Sequence, residues 1–291
     1  MIAAIVLIAT GVFLFSGESE GGKIEKLGDV VEDGAKTGLV VPKYVVDELG
    51  IESIADLGDH AGAFDGKIVG IDAGAGIMSS TDRAITVYGL GFSLIPSSES
   101  AMLTALDNAY TAETPIVVTL WEPHWIMGSE KYDLVFLEDP ELVYGESESI
   151  LSYGKPGLAD EDPVLAGIME RYGYETDDFA ALLAHIEGSS LSVEEAAAEW
   201  VEANPDLLEI WLGDVTNVPD RGTVKIGLVS WACAIGSSHA LKYVLEEVGY
   251  TVELKYLDAG PMYEGLSRGS IDVTTTVWYP LTHASYLDRY A

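Results

Sequence analysis

Hydrophobic and polar positions along the chain follow two periods, one typical of strands and the other of helices. Segments rich in β-branched residues predict strands, and they include KIVGI at 67–71, PIVVTLW at 115–121, TVKIGLVSW at 223–231 and SIDVTTTVW at 270–278. Between them, ESAMLTALDNAY at 99–110 and SVEEAAAEWVEA at 192–203 predict helices. Ser192, with Glu195 three residues later, forms a capping box, and Pro205 ends that helix. Nearly regular alternation of strand and helix predicts an α/β fold with parallel sheets covered by helices.

Breaks in composition divide the chain into two predicted lobes. They fall near residues 64–67 and near residues 219–222. We therefore predict one lobe at 67–220 and a second lobe that combines 23–66 with 221–291. Two chain crossings between such lobes form a hinge, with a ligand held in the cleft between them.

Charge excludes some classes of partner. The 291 residues include 48 acidic and 15 basic side chains, which give a net charge of −33 at pH 7. A polyanion of this strength repels nucleic acid and anionic membrane surfaces, so no nucleic-acid partner is expected. Acidic, lysine-poor surfaces stay hydrated when salt screens their repulsion, which indicates a halophilic host. The single cysteine, Cys233, allows no intramolecular disulfide and gives no metal-binding cluster.

The N-terminus carries an apolar run, IAAIVLIATGVFLF at 2–15, followed by the polar linker SGESEGG. Fourteen residues fall short of the roughly 20 that span a bilayer as a helix, which fits the core of a signal sequence. We predict that residues 1–22 are a signal or membrane anchor with a linker. The sequence leaves open whether the segment is removed or retained, and a buried helix is the less favoured reading. The expected location is the extracellular side of the cytoplasmic membrane.

Three predicted strands end on tryptophans, at Trp121, Trp231 and Trp278. Ligands of parallel α/β sheets lie beyond the carboxyl ends of the strands. A single tryptophan is more often a core residue, but three in the same topological position predict an aromatic cluster at a cleft. Tryptophan faces attract cations, and a quaternary ammonium has no donor to leave unpaired there. The cluster therefore predicts a site for a methylated ammonium.

A glycine-rich turn, DAGAGIM at 72–78, lies between a predicted strand and a predicted helix. Glycines let the backbone approach a ligand, and the free N–H groups that open a helix bind anions. The competing interpretation is a dinucleotide fingerprint, but Gly74-x-Gly76 is followed by Ser79 where the third glycine would stand. We therefore expect a carboxylate at this turn.

Histidine could supply a further hydrogen bond to that carboxylate. His283 lies five residues after Trp278, but spacing alone does not separate a ligand contact from a surface or capping role. His124 and Glu122 are weaker candidates. A quaternary ammonium at one end and a carboxylate at the other describe a small zwitterion, of which glycine betaine is the simplest.

Several longer motifs resemble one known family. They are GIDAGAGIMS, PIVVTLWEPHW, YDLVFLEDP, the stretch from GLVSW through LDAGPMYEGL, WYPLTH and TGLVVPKY. The sequence is similar to the substrate-binding proteins of glycine betaine/proline betaine ABC importers over nearly all of residues 36–291.

The resemblance implies a type II, two-lobed periplasmic-binding-protein-like fold without enzymatic activity or cofactor. Such a protein captures the compatible solute glycine betaine or proline betaine for osmoprotection and delivers it to an ABC permease with its ATPase. The resemblance also implies ligand contacts. It places the ammonium in an aromatic cage of Trp121, Trp231 and Trp278, and the carboxylate on the amides of Gly76 and Ile77 and on His283.

The order of segments departs from the family pattern. TGLVVPKY normally follows the segment that ends in WYPLTH, whereas here it stands near the N-terminus. This order implies a circular permutation, and it predicts that residues near Gly22 and Ala291 lie close in space.

Two other functions remain as alternatives. A choline or carnitine receptor belongs to the same transporter class, although choline lacks the carboxylate that the glycine-rich turn would bind. An enzyme acting on methylated amines is disfavoured because the sequence offers no metal cluster, nucleophile with a base, or complete cofactor fingerprint.

Overall fold

The computed structural model describes residues 21–291, so the predicted signal or anchor at 2–15 lies outside the described residues. Strand bounds are as follows: β1 Glu25–Pro42, β2 Lys67–Val69, β3 Ser93–Ile95, β4 Val118–Glu122, β5 Leu134–Phe136, β6 Glu148–Gly154, β7 Gly222–Leu228, β8 Tyr250–Tyr256 and β9 Val273–Tyr279.

Helices connect these strands and pack against them. The α-helices are α1 Lys43–Leu49, α2 Gly76–Val87, α3 Glu99–Ala112, α4 Leu158–Glu161, α5 Pro163–Arg171, α6 Thr176–Gly188, α7 Val193–Ala203, α8 Pro205–Leu212, α9 Ala232–Glu247, α10 Ala259–Ser267 and α11 Ala284–Tyr290. Two 3₁₀ segments span Ile54–Phe64 and Trp125–Gly128. Within residues 21–291, no helix combines the length and the apolar character that crossing a membrane requires.

One long strand, β1, connects the two halves of the sheet. The strand order is β3-β2-β4-β1-β6-β9-β7-β8, and β5 also pairs with β1. Residues 36–40 of β1 pair antiparallel with β4, and residues 25–35 pair antiparallel with β6. We call β2, β3, β4, β5 and the second part of β1 the first half-sheet. The second half-sheet is β6, β7, β8, β9 and the first part of β1.

The prediction of parallel sheets is correct for part of each half-sheet. Strands β2, β3 and β4 are parallel, as are β7, β8 and β9 where they pair. By contrast, β1 and β6 run antiparallel to their neighbours. Two parallel strands must be joined by a crossover connection, usually a helix. Strands β1 and β6 lie in the middle of the sheet, where the chain passes between the half-sheets, and they pair antiparallel there.

The lobe boundaries at 67–220 and at 23–66 with 221–291 remain a prediction. Strand pairing groups some residues differently, because β6 falls within 67–220 and yet pairs with β9 from Ser149↔Tyr279 to Gly154↔Val273. Similarly, residues 36–42 of β1 pair with β4 and β5.

Local helix signals in the sequence are confirmed. The side chain of Ser192 accepts a hydrogen bond from the Glu195 amide, and the Glu195 carboxylate accepts one from the Ser192 amide at 3.0 Å. Helix α7 ends at Ala203, and Pro205 occupies the first turn of α8, where its missing N–H costs no helical hydrogen bond.

The two ends of the described chain meet. The Ile24 amide donates a hydrogen bond to the Tyr290 carbonyl at 2.8 Å, and the Lys23 ammonium donates to the Ala291 carbonyl. The predicted closeness of the ends is therefore confirmed, while the circular permutation itself stays a prediction.

Candidate ligand-binding site

The three predicted tryptophans lie around one small apolar cavity between the half-sheets. Trp121 is on β4 and Trp278 on β9, whereas Trp231 is three residues beyond β7, at the N-cap of α9. Each indole is at most 6% exposed. The cavity is lined by Thr37, Ile71, Ile77, Trp121, Trp231, Trp278 and Thr282.

Aromatic rings from both half-sheets approach each other at the cavity. The ring centroids of Trp121 and Trp231 are 6.2 Å apart with an interplanar angle of 52°. The rings of Trp231 and His283 are 5.9 Å apart at 35°. Indole faces at such angles can surround a compact cation and interact with it at about 0.5–2 kcal/mol each, depending on desolvation.

Trp231 is held by a hydrogen bond that it donates to the opposite half. Its Nε1–H donates to Oδ2 of Asp72 at 3.2 Å, so the residue that opens the glycine-rich turn also orients this ring. Cys233, two residues further along, is buried, and this burial raises the pKa of its thiol. A thiol that stays protonated and inaccessible has a packing role.

The glycine-rich turn brings the first turn of α2 against the opposite half. A Cβ at Gly76 would lie only 1.8 Å from the carbonyl oxygen of Thr282, so glycine alone fits this approach. The amides of Ala75 and Met78 are paired with Asp72 and Ala75 carbonyls. Within residues 21–291, the Gly76 and Ile77 amides donate no hydrogen bond, and free amides at a helix start favour an anion.

His283 presents a proton on Nε2. Its Nδ1 accepts hydrogen bonds from the Trp278 amide at 3.1 Å and from the Tyr263 hydroxyl at 2.9 Å. Complete burial lowers the pKa of His283 to about 3, so the ring is neutral at physiological pH. With Nδ1 acting as the acceptor, the ring proton is assigned to Nε2, which has no partner among the described residues.

A buried carboxylate fixes the loop that carries His283. Glu148, at the start of β6, accepts hydrogen bonds from the amides of Leu281 and Thr282 at 3.0 and 2.7 Å. The Thr282 hydroxyl donates to the same carboxylate. Glu148 is 2% exposed, and its three hydrogen bonds compensate for the burial of its charge.

Other contacts also join the two halves. The Tyr286 hydroxyl donates to the Gly74 carbonyl at 2.8 Å. Glu99, on α3, accepts a hydrogen bond from the Ala232 amide, and His124 lies 3.1 Å from its other oxygen. The structure therefore has a closed cleft.

All six residues predicted to contact ligand lie in or beside this cavity. Ile77 and the tryptophans line it, Gly76 abuts Thr282, and His283 packs beside Trp231. Sequence reasoning missed Thr37, Ile71 and Thr282. All three stand within quoted motifs, Ile71 in GIDAGAGIMS, Thr282 in WYPLTH and Thr37 at the start of TGLVVPKY, but none was predicted to contact ligand. Thr37 reaches the cavity through the pairing of β1 with β4, which has no local sequence signal.

Two half-sheets that close on an aromatic cavity with free hydrogen-bond donors define a solute-binding protein. The family model described as the substrate binding domain of ABC-type glycine betaine transport systems matches residues 16–203 and 222–291. The chain belongs to this family, so it is a binding protein of an ABC transporter and not an enzyme.

Relatives and solved structures agree with this assignment. The glycine betaine/carnitine transport binding protein GbuC of Listeria monocytogenes is 34% identical over 226 residues, which cover 77% of this chain and 74% of the relative.

The closed, liganded lactococcal OpuAC, complexed with glycine betaine, has a TM-score of 0.58 at 34% identity, over 65% of this chain and 71% of that one. An ABC-transporter choline binding protein in complex with choline also has a TM-score of 0.58, at 27% identity, over 65% of this chain and 66% of that one. The fold is that of the type II periplasmic binding proteins, as the resemblance implied.

Proposed function

We propose that the protein captures glycine betaine, and related betaines such as proline betaine, through a tryptophan cage. The observation that carries this proposal is that aromatic rings and unpaired hydrogen-bond donors lie at the same cavity. Indoles of Trp121, Trp231 and Trp278 surround the cavity. Beside it, the amides of Gly76 and Ile77 donate no hydrogen bond within residues 21–291, and Nε2 of His283 has no partner there. A zwitterion with a methylated ammonium and a carboxylate satisfies both.

The energetics suffice for useful affinity. Several cation–π contacts at about 0.5–2 kcal/mol each act on the ammonium. Hydrogen bonds to a charged carboxylate add about 1.5–3 kcal/mol each. Together they can reach the roughly −8 kcal/mol of micromolar binding.

Delivery to an ABC permease with its ATPase follows from membership of the family. We infer that the protein acts outside the cytoplasm, with the apolar segment 2–15 directing export and anchoring the chain to the membrane. The net charge of −33 suits a halophilic host, in which import of a compatible solute balances external salt.

Choline or carnitine is the alternative ligand, supported by the names of two relatives. Calorimetric titration with glycine betaine, carnitine and choline tests the proposal. We expect glycine betaine to bind in the micromolar range or tighter and to displace choline in a competition followed by tryptophan fluorescence. Tighter binding of choline than of betaine would contradict a carboxylate contact at Gly76 and His283.

A further inference from the structure

Thr37 is the first residue of the TGLVVPKY motif and lies in the aromatic cavity, a position that the motif itself did not predict. It sits on β1, directly opposite Trp121 across the antiparallel pairing with β4. Directly opposed residues of paired strands project their side chains on the same face, so Thr37 and Trp121 face the cavity together. The side chain lines the cavity with the three indoles, and the residue is 8% exposed.

The hydroxyl of Thr37 is buried without a hydrogen-bond partner in the part of the chain that the structure describes. The only other hydroxyl that lines the cavity there, that of Thr282, donates to Glu148 and is therefore engaged. A buried hydroxyl without a partner destabilises the fold, and valine would fill the same strand position without that cost. An unpaired oxygen at this position therefore points to a partner that arrives with the ligand.

The chemistry of the partner follows from what else lines the cavity. The donors of Gly76, Ile77 and His283 already suit a carboxylate, whereas Thr37 stands opposite Trp121 among the rings that suit the ammonium. A quaternary ammonium offers no N–H, and indole faces alone satisfy it. A tertiary ammonium has one N–H, which needs an acceptor when it is desolvated. A threonine hydroxyl oxygen is such an acceptor.

We propose that Thr37 is a specificity-determining residue whose hydroxyl accepts the single N–H of a tertiary methylammonium, so that the site takes dimethylated as well as trimethylated amino acids. The inference rests on the proposed function and extends its ligand class. N,N-Dimethylglycine, which differs from glycine betaine by one methyl group, is the matching probe.

Calorimetry with both ligands on the unsubstituted protein, Thr37→Val and Thr37→Ser tests the role. We expect the unsubstituted protein to bind both ligands, and Thr37→Val to weaken dimethylglycine by at least about tenfold while it changes glycine betaine by less than about threefold. Thr37→Ser keeps the hydroxyl and should bind dimethylglycine about as tightly as the unsubstituted protein does. The ratio of the two affinities is the readout, because a general packing defect would weaken both ligands alike.

Thr119→Val is the matched control. Thr119 is a buried β4 threonine whose hydroxyl is also unpaired within residues 21–291, but it does not line the cavity. Its substitution should leave the ratio unchanged.

Failure of the proposal and failure of the proposed function give different results. An unchanged affinity ratio in Thr37→Val, or no binding of dimethylglycine by a protein that binds glycine betaine, overturns the role of Thr37 alone. No binding of glycine betaine by the unsubstituted protein overturns both.

Discussion

Glu99 and Ala232 form a hydrogen bond across the closed cleft. The Ala232 amide, at the first residue of α9, donates to Oε2 of Glu99 at 2.9 Å. His124 orients the carboxylate: its Nδ1 accepts from the Ile126 amide, which leaves the proton on Nε2, 3.1 Å from Oε1 of Glu99. A carboxylate at a helix N-terminus is favourably placed, and this helix begins immediately after Trp231. The contact thus holds the start of α9, and with it Trp231, in the closed form.

Glu99→Gln should weaken closure. The amide side chain keeps one acceptor but loses the negative charge, and a charge-assisted hydrogen bond is stronger than a neutral one. We expect betaine affinity to fall about tenfold, mainly through faster dissociation. Stopped-flow tryptophan fluorescence measures that rate. Glu130→Gln, an exposed substitution, serves as the control, and equal dissociation rates in the two variants would refute the role of Glu99.

Gly76→Ala should prevent the halves from meeting. Its added Cβ would collide with the Thr282 carbonyl, and overpacking of this kind costs about 1–3 kcal/mol, which corresponds to a loss of affinity of about ten- to hundredfold. Titration calorimetry gives the affinity, and small-angle scattering in the presence of betaine reports the open form. At Gly128 a Cβ would meet nothing within 4 Å, so Gly128→Ala should bind normally. Normal binding by Gly76→Ala would be the contrary result.

Trp231→Ala should lower betaine affinity by at least about tenfold, because it removes one face of the proposed cage and the hydrogen bond from the indole to Asp72. Tyr279→Ala is a suitable comparison, since Tyr279 adjoins Trp278 but is 48% exposed. Isothermal calorimetry distinguishes the two variants. Unchanged affinity in Trp231→Ala, with an intact fold by circular dichroism, would remove the ring from the site.

His283 should make stability depend on pH in a defined window. Burial lowers the pKa in the folded protein to about 3 from the ordinary 6.5, so only the unfolded chain takes up a proton between these values. The contribution of neutral His283 to the free energy of unfolding is therefore fully present above about pH 6.5. It is lost as the pH falls toward 3, at roughly 1.4 kcal/mol per pH unit.

Urea unfolding from pH 7 to pH 4.5 checks the window. The stability of the unsubstituted protein should fall more steeply than that of His283→Gln, because the carboxylates that titrate in both proteins cancel in the comparison. Parallel curves would mean that His283 is not buried in the neutral form. Betaine affinity should stay constant between pH 6 and 8, since the Nε2–H donor does not titrate there.

Local signals in the sequence predicted much of the fold. β-Branched runs located β4, β7 and β9 because each buries most of its length in the sheet. The first part of β1 was missed, since EKLGDVVEDGAK is polar and contains two glycines, and only the TGLVVP end has strand character. Strand β6 was missed for a similar reason, because its charged first residue Glu148 stands in an acidic region.

The site was predictable where its residues occupy the same place in the alternation of strands and helices, at or just after the end of a strand. Trp121, Trp231 and Trp278 each follow or end a strand, so topology alone brings them to one edge. By contrast, Thr37 is positioned by its pairing with Trp121, 84 residues away, between β1 and β4. Glu99 is positioned by its hydrogen bond across the cleft to Ala232, 133 residues away. Local patterns hold no information about such pairings, and the hydrogen-bonding state of His283 likewise depends on Tyr263.

The hydrogen bond between Ile24 and Tyr290 makes the backbone almost a ring. The family model leaves residues 204–221 unmatched, and most of the loop at 214–221 is exposed. A peptide that links Ala291 to Gly22, with new termini opened in this loop, would produce the segment order that the resemblance predicts for the wider family. We expect this circularly permuted variant to bind betaine, because moving the termini leaves the contacts around the cavity unchanged.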